Sequence, residues 1–208
     1  MSALLPPSRP RLSSTAFFDR VEQCFGAPAR ASLLALPFFI GGIPGYYMQS
    51  MGDPTKNDRG IYDDCIVLVT RNVFAAWNGN TDPSTHRQDI ATLQPGIYPC
   101  YQFDRHNGSR PHNAICQRRG PVIIRRDGTE SIPKGESDGR GFSLGGGLWR
   151  GNFGINIHRG GVNGTSSLGC QTVPPSQWDA FYALAKGEAQ RVWGRQWDKE
   201  TITYALLS

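Results

Sequence analysis

Cys65-Ile-Val-Leu-Val-Thr70, then Arg71-Asn72, then Val73-Phe-Ala-Ala-Trp77 read in order as a strand, a tight turn and a returning strand. The first strand is an unbroken apolar run, the pattern of a strand buried on both faces. Working outward, Gly96–Phe103, Ala114–Gln117, Pro121–Arg125 and Phe153–Ile157 repeat the short, apolar, turn-bounded form, and Thr201–Leu207 reads as a closing strand. Two segments carry helical periodicity instead. Ser13 or Ser14 caps a helix running to Cys24, with Phe17, Phe18, Val21 and Phe25 on one face. After Pro174-Pro175, Ser176 is the expected N-cap of a longer helix whose apolar face is Trp178, Phe181, Tyr182 and Ala185. The fold class expected is mainly β with a few helices, a β-rich α+β arrangement.

Composition agrees with short strands and many turns. The 208 residues include 25 glycines and 15 prolines, and only 19% are charged, which speaks against helical bundles and coiled coils. A chain this long buries a full core without a metal or disulfide staple. The 22 basic residues against 17 acidic ones give a net charge of +5. Arg118-Arg119 and Arg125-Arg126 are the basic pairs of the middle of the chain, and no helix-turn-helix, zinc-finger or RNA-recognition pattern accompanies them, so nucleic acid is not the expected partner. The apolar run Leu33–Tyr47 is broken by Pro37, Gly41-Gly42 and Pro44 and is shorter than the ~20 residues of a membrane span. The Pro/Ser/Arg-rich start reads as flexible and has no secretory pattern, so the expectation is synthesis in the cytoplasm without a Sec-type leader. Residues 1–60 are read as an N-terminal extension and 61–208 as the domain that carries the chemistry.

That chemistry centres on Gly154-Ile-Asn-Ile-His158-Arg-Gly-Gly-Val-Asn-Gly-Thr-Ser-Ser167-Leu-Gly169-Cys170-Gln-Thr-Val173. A histidine at a strand end precedes, by twelve positions, a cysteine in Ser-x-Gly-Cys. A free thiol is mostly protonated at neutral pH, and an imidazole within reach can take its proton. Gly169 lets the backbone turn sharply before Cys170, and its amide is a candidate oxyanion donor together with that of Cys170. Ser167 is placed to hydrogen-bond the loop or a substrate carbonyl. Five cysteines without a CxxC argue against a zinc ribbon or thioredoxin-type site. His86, His106 and His112 lack metalloenzyme spacing and read as exposed loop histidines, so neither a metal nor a cofactor is expected.

At these residues the chain resembles the catalytic domain of the L,D-transpeptidases, the YkuD-type family, in Ile157-His158-Arg-Gly-Gly and Ser167-Leu-Gly-Cys170 followed by a helix. The resemblance implies a β-sandwich or barrel with a helix after the catalytic cysteine. It implies Cys170 as nucleophile, His158 as general base with a backbone carbonyl as its third partner, and peptidoglycan stem peptides as substrate. Cleavage of an L–D bond through a Cys thioester would end in transpeptidation, carboxypeptidase or endopeptidase action. Ser167, Arg159 and Gly160 fall where substrate contacts are expected. Three features depart from the family pattern. Leu168 replaces a frequent histidine, Gln171 and Thr172 replace Ile/Val and Arg/Asn, and the His-to-Cys loop is shorter. Arg159 is the alternative carboxylate binder. With no leader, the expected routes to the periplasm or wall are a secretion system, as an effector, or phage-type lysis. The alternatives are a non-catalytic wall-binding module, or a virion or secretion-system structural component contacting its partner through residues 1–60.

Overall fold

The computed structural model describes residues 4–107 and 111–208. The chain opens with two helices, α1 (Ser14–Phe25) and α2 (Ala27–Ala35). Ser13 caps α1 by accepting a 3.1 Å hydrogen bond from Ala16 N, and Gly26 ends α1 and begins α2. The strands β1 (Phe38–Ile43), β2 (Asp64–Thr70), β3 (Phe74–Gly79), β4 (Ala91–Leu93), β5 (Gly96–His106), β6 (His112–Gln117) and β7 (Val122–Arg126) follow. Then come β8 (Gly141–Gly145), β9 (Leu148–Gly151), β10 (Ile157–Arg159), β11 (Gln171–Val173), α3 (Pro175–Trp193), a 3-10 turn (Gly194–Gln196) and β12 (Ile202–Leu206). The class is mainly β with three α-helices among the described residues, as the strand-rich sequence implied. No described helix is long and apolar enough to cross a membrane.

Eight strands form one sheet in the order β11-β10-β6-β5-β12-β1-β2-β3, and β4-β7-β9-β8 form a second. The larger sheet is nearly a closed barrel. Its two edge strands are joined through an isolated bridge between Asn80 and Thr172, whose backbones exchange two hydrogen bonds of 2.8 Å.

β1 and β2 are apolar at successive positions because both their faces are covered. Phe39, Ile43, Cys65, Val67 and Val69 pack with Phe17, Phe18 and Val21 of α1 and Leu33 of α2. Phe38, Ile40, Ile66 and Leu68 turn to the main core with Trp77, Ile115, Ile157, Val173 and, from α3, Trp178, Phe181, Ala185 and Ala189. The smaller sheet adds Leu93, Val122, Ile124 and Trp149 to that core.

Several expectations need correction. Residues 1–60 are not appended to a separate unit: β1 lies between β12 and β2, parallel to the first and antiparallel to the second. The start of the chain is pinned, with residues 1–3 outside the described set. Leu4 O accepts from Tyr62 N at 2.9 Å, and the Arg9 guanidinium donates to Ala76 O while lying 4.8 Å from the Trp77 ring centroid. β12 fills the middle of the sheet instead of closing it, because β5 and β1 flank it on either side. Pro174, not Ser176, is the N-cap of α3, with no side-chain cap; Trp178 N bonds Pro174 O at 2.9 Å. The strand expected over Phe153–Ile157 shares only Ile157 with β10, which runs on to Arg159, since the amides before it are taken by side chains. Gly154 N and Ile155 N both donate to Gln117 Oε1, and Asn156 N donates to Cys170 Sγ.

Candidate active site

His158 is the middle residue of β10, and Cys170 immediately precedes the parallel strand β11. The pairing of Ile157 with Gln171 sets the two side chains at one end of the strand pair. The intervening loop is fastened from outside by Ser84. Its Oγ accepts from Ser167 N at 2.7 Å and pairs with Thr165 Oγ1 at 2.6 Å, while Ser84 N donates to Ser167 O. Gly169 has φ of 126°, a conformation that L side chains rarely adopt, and a Cβ there would run into the Ala91 carbonyl.

A ring nitrogen of His158, a ring nitrogen of His106 and Cys170 Sγ all lie within 4.8 Å of one another. His158 is 5% exposed and Cys170 9%. His158 Nδ1 lies 2.7 Å from Arg159 O, so it carries the proton and donates, leaving Nε2 as an acceptor. The thiol accepts from Asn156 N at 3.4 Å and donates to Gly154 O at 3.5 Å. Burial lowers the His158 pKa to about 4, with His106 and His112 adding to the effect against the Arg159 carbonyl. Burial raises the Cys170 thiol to about 11. At neutral pH the pair is therefore a neutral thiol beside a neutral imidazole, not a preformed ion pair.

The other sequence candidates take varied places. Ser167 is buried and spans the loop: its Oγ accepts from Gly169 N at 3.0 Å and donates to Cys170 O at 2.7 Å. That bond occupies the Gly169 amide, leaving Cys170 N without an acceptor among the described residues, so the oxyanion donor expected of Gly169 falls to Cys170 in this conformation. Arg159 contributes its carbonyl to His158, and its side chain is exposed with no ion pair among the described residues. Gly160 is buried against the Tyr62 hydroxyl and donates to Val173 O. Gln171 is fully buried; its amide donates to Thr81 O and Gly169 O and accepts from Tyr204 Oη at 2.9 Å. Gln171 thus braces the cysteine loop from inside. Leu168 and Val162 are exposed apolar side chains on the same loop.

His106 and His112 are not loop histidines. They end β5 and begin β6, directly opposite each other, and both rings face His158. His86 alone is exposed as read. Their approach to His158 follows from β6 lying beside β10, a long-range pairing that no local signal in the sequence shows. Asn156 and Gln117 were missed too, as nothing in their local sequence distinguishes them. His106, His158 and Cys170 are also the residues that could ligate a soft metal. Cys24, Cys65, Cys100 and Cys116 are free thiols like Cys170, and of these four Cys65, Cys100 and Cys116 are buried.

The fold and site together define a β-rich α+β protein with a buried thiol–imidazole pair beside the seam of its larger sheet. No protein-family model, curated protein or solved structure matches the chain.

Proposed function

We propose that the protein is a peptidoglycan-active cysteine enzyme of L,D-transpeptidase type, acting on L–D peptide bonds of stem peptides. The observation carrying this reading is the His158–Cys170 pair, with His158 Nδ1 bonded to the Arg159 carbonyl and Nε2 left as a base. In the reaction, the Cys170 proton passes to His158 Nε2 as sulfur attacks the stem-peptide carbonyl, forming the C–S bond. The oxyanion is received by the Cys170 amide. The tetrahedral intermediate collapses with cleavage of the C–N bond, His158 returns the proton to the departing amine, and a thioester remains. An acceptor amine resolves it by transpeptidation, and water resolves it by hydrolysis. No cofactor enters these steps.

The test is incubation with tetrapeptide muropeptides plus glycine or a D-amino acid, read by mass spectrometry. Exchange of the terminal residue indicates transpeptidation, its bare loss carboxypeptidase action, and scission between linked stems an endopeptidase. Cys170→Ala is expected to abolish all three while melting as the parent does. Unchanged muropeptides under every condition would sink the proposal.

One observation favours a second reading, a wall-binding module without chemistry: the thiol bonds Gly154 O and Asn156 N instead of His158, and burial holds it neutral. On that reading Cys170 reacts with iodoacetamide no faster than Cys65 or Cys116, and Cys170→Ala still sediments with purified sacculi.

A further inference from the structure

The β5–β6 hairpin brings a second imidazole onto the face of the first. The His106 and His158 rings are stacked, with centroids 4.4 Å apart and planes 22° from parallel. His112 meets both edge-on or tilted, at 5.4 Å from His158 and 5.3 Å from His106. His106 is itself held by Asn156. The Asn156 Oδ1 accepts from Gln117 N at 3.0 Å, which fixes the orientation of the amide, so Nδ2 is the group that faces His106 Nδ1 at 2.9 Å. His106 Nδ1 is then an acceptor and its proton resides on Nε2. The two stacked rings are opposite tautomers, each set by one hydrogen bond on Nδ1.

Asn156 also joins this pair to the thiol, because its backbone N–H donates to Cys170 Sγ. One residue thus contacts sulfur through its main chain and the stacked histidine through its side chain. Face stacking restrains the tilt of a ring that a single Nδ1 bond would leave free to rock about that bond.

We propose that His106 is a positioning residue that clamps the His158 imidazole by face stacking, with Asn156 registering the clamp against Cys170. The assignment rests on the reading that His158 and Cys170 react together. Its support is the geometry of the stack and of the Asn156 amide. The aromatic face is the property that matters, so the clamp tolerates loss of the Nδ1 acceptor but not of the ring.

Two replacements separate these properties. His106→Phe keeps a ring against His158 and gives up the acceptor, whereas His106→Gln keeps an acceptor for Asn156 and gives up the ring. In nitrogen-15 correlation spectra of the imidazoles, the parent and His106→Phe are expected to show His158 as a single Nδ1–H tautomer. His106→Gln is expected to show averaging between tautomers. With muropeptide substrate, His106→Gln loses about tenfold or more in kcat at little-changed KM, and His106→Phe stays within about threefold of the parent. If His106→Gln fails to fold, His106→Ala carries the same expectation. A sharp, parent-like His158 spectrum in the ring-less variants, or a Phe variant as averaged as the Gln variant, overturns the clamp. The spectra decide this without any turnover, so absence of wall activity would fall on the proposed function and leave the clamp to be judged separately.

Discussion

A single hydroxyl, that of Ser167, satisfies both the amide of Gly169 and the carbonyl of Cys170 within a buried loop. Ser167→Ala leaves two main-chain groups unpaired away from water, so a loss of about 1–3 kcal/mol is expected in urea unfolding. It also frees the Gly169 amide. His158 sets the pH dependence of the proposed reaction. Its base form is the neutral one, and with its pKa lowered to about 4 that form persists well into acid. The acid limb of kcat/KM should fall near 4 instead of near the ordinary histidine value of about 6.5. A limb at the ordinary value would mean His158 is not the base. Cys170 and His158 could be read from Ser-x-Gly-Cys and the strand before it, because those residues declare chemistry by type and spacing. Asn156, Gln117 and His106 could not: their roles come from long-range partners, Gln117 sitting 39 positions from the Asn156 it supports.

Elements bounded by turns and filled by apolar runs were legible in the sequence, as β2, β3, β5 and the paired faces of α1 and α3 demonstrate. β1 was not, because Phe-Phe-Ile-Gly-Gly-Ile shows no alternation, and its two glycines resemble punctuation. The structure gives them a packing reason. A Cβ on Gly41 would sit 2.6 Å from Phe17 Cζ and 2.7 Å from Val67 Cγ2, so the missing side chain is the space into which α1 docks. Gly41→Ala is therefore expected to cost about 1–3 kcal/mol by overpacking, or to lift α1 from the sheet. Thermal melts together with the accessibility of Cys24, which contacts Ser208 from α1, would register either result. The short strands β4, β8, β9 and β11 also escaped the sequence reading; three to five residues cannot establish a period against their surroundings.

Over the whole molecule, the least conventional electrostatic feature is a group of buried carboxylates beneath the cysteine loop. Asp64 accepts from Gly45 N and from the Thr81 amide and hydroxyl, and Asp82 accepts from Asn57 Nδ2 at 3.1 Å. Burial, and then repulsion from Asp63, raises the pKa of Asp64; burial, and then repulsion from Asp64 and Asp63, raises that of Asp82; burial also raises that of Asp63. A raised folded-state pKa means the fold holds protons that the unfolded chain has released, so stability falls as pH climbs above the ordinary aspartate range of about 4. His158 opposes this only at the acid end, where the unfolded chain takes up the proton first. Melting temperature should thus decline from weakly acidic to alkaline pH, and Asp82→Asn should flatten the decline and melt higher than the parent at pH of about 8. An unchanged slope in that variant would assign the protons elsewhere.

The bridge between Asn80 and Thr172 has a consequence for motion. Most junctions around the eight-stranded sheet run through several paired residues, whereas this closure is an isolated bridge of two backbone hydrogen bonds at Thr172, two residues beyond Cys170. A ring of strands breathes where it is thinly laced. The Asn80 and Thr172 amides should accordingly exchange with deuterium ahead of those in β1, β2 and β12. Each such excursion would loosen the segment that screens the thiol, making the lacing of the barrel the element that meters how often Cys170 meets the outside.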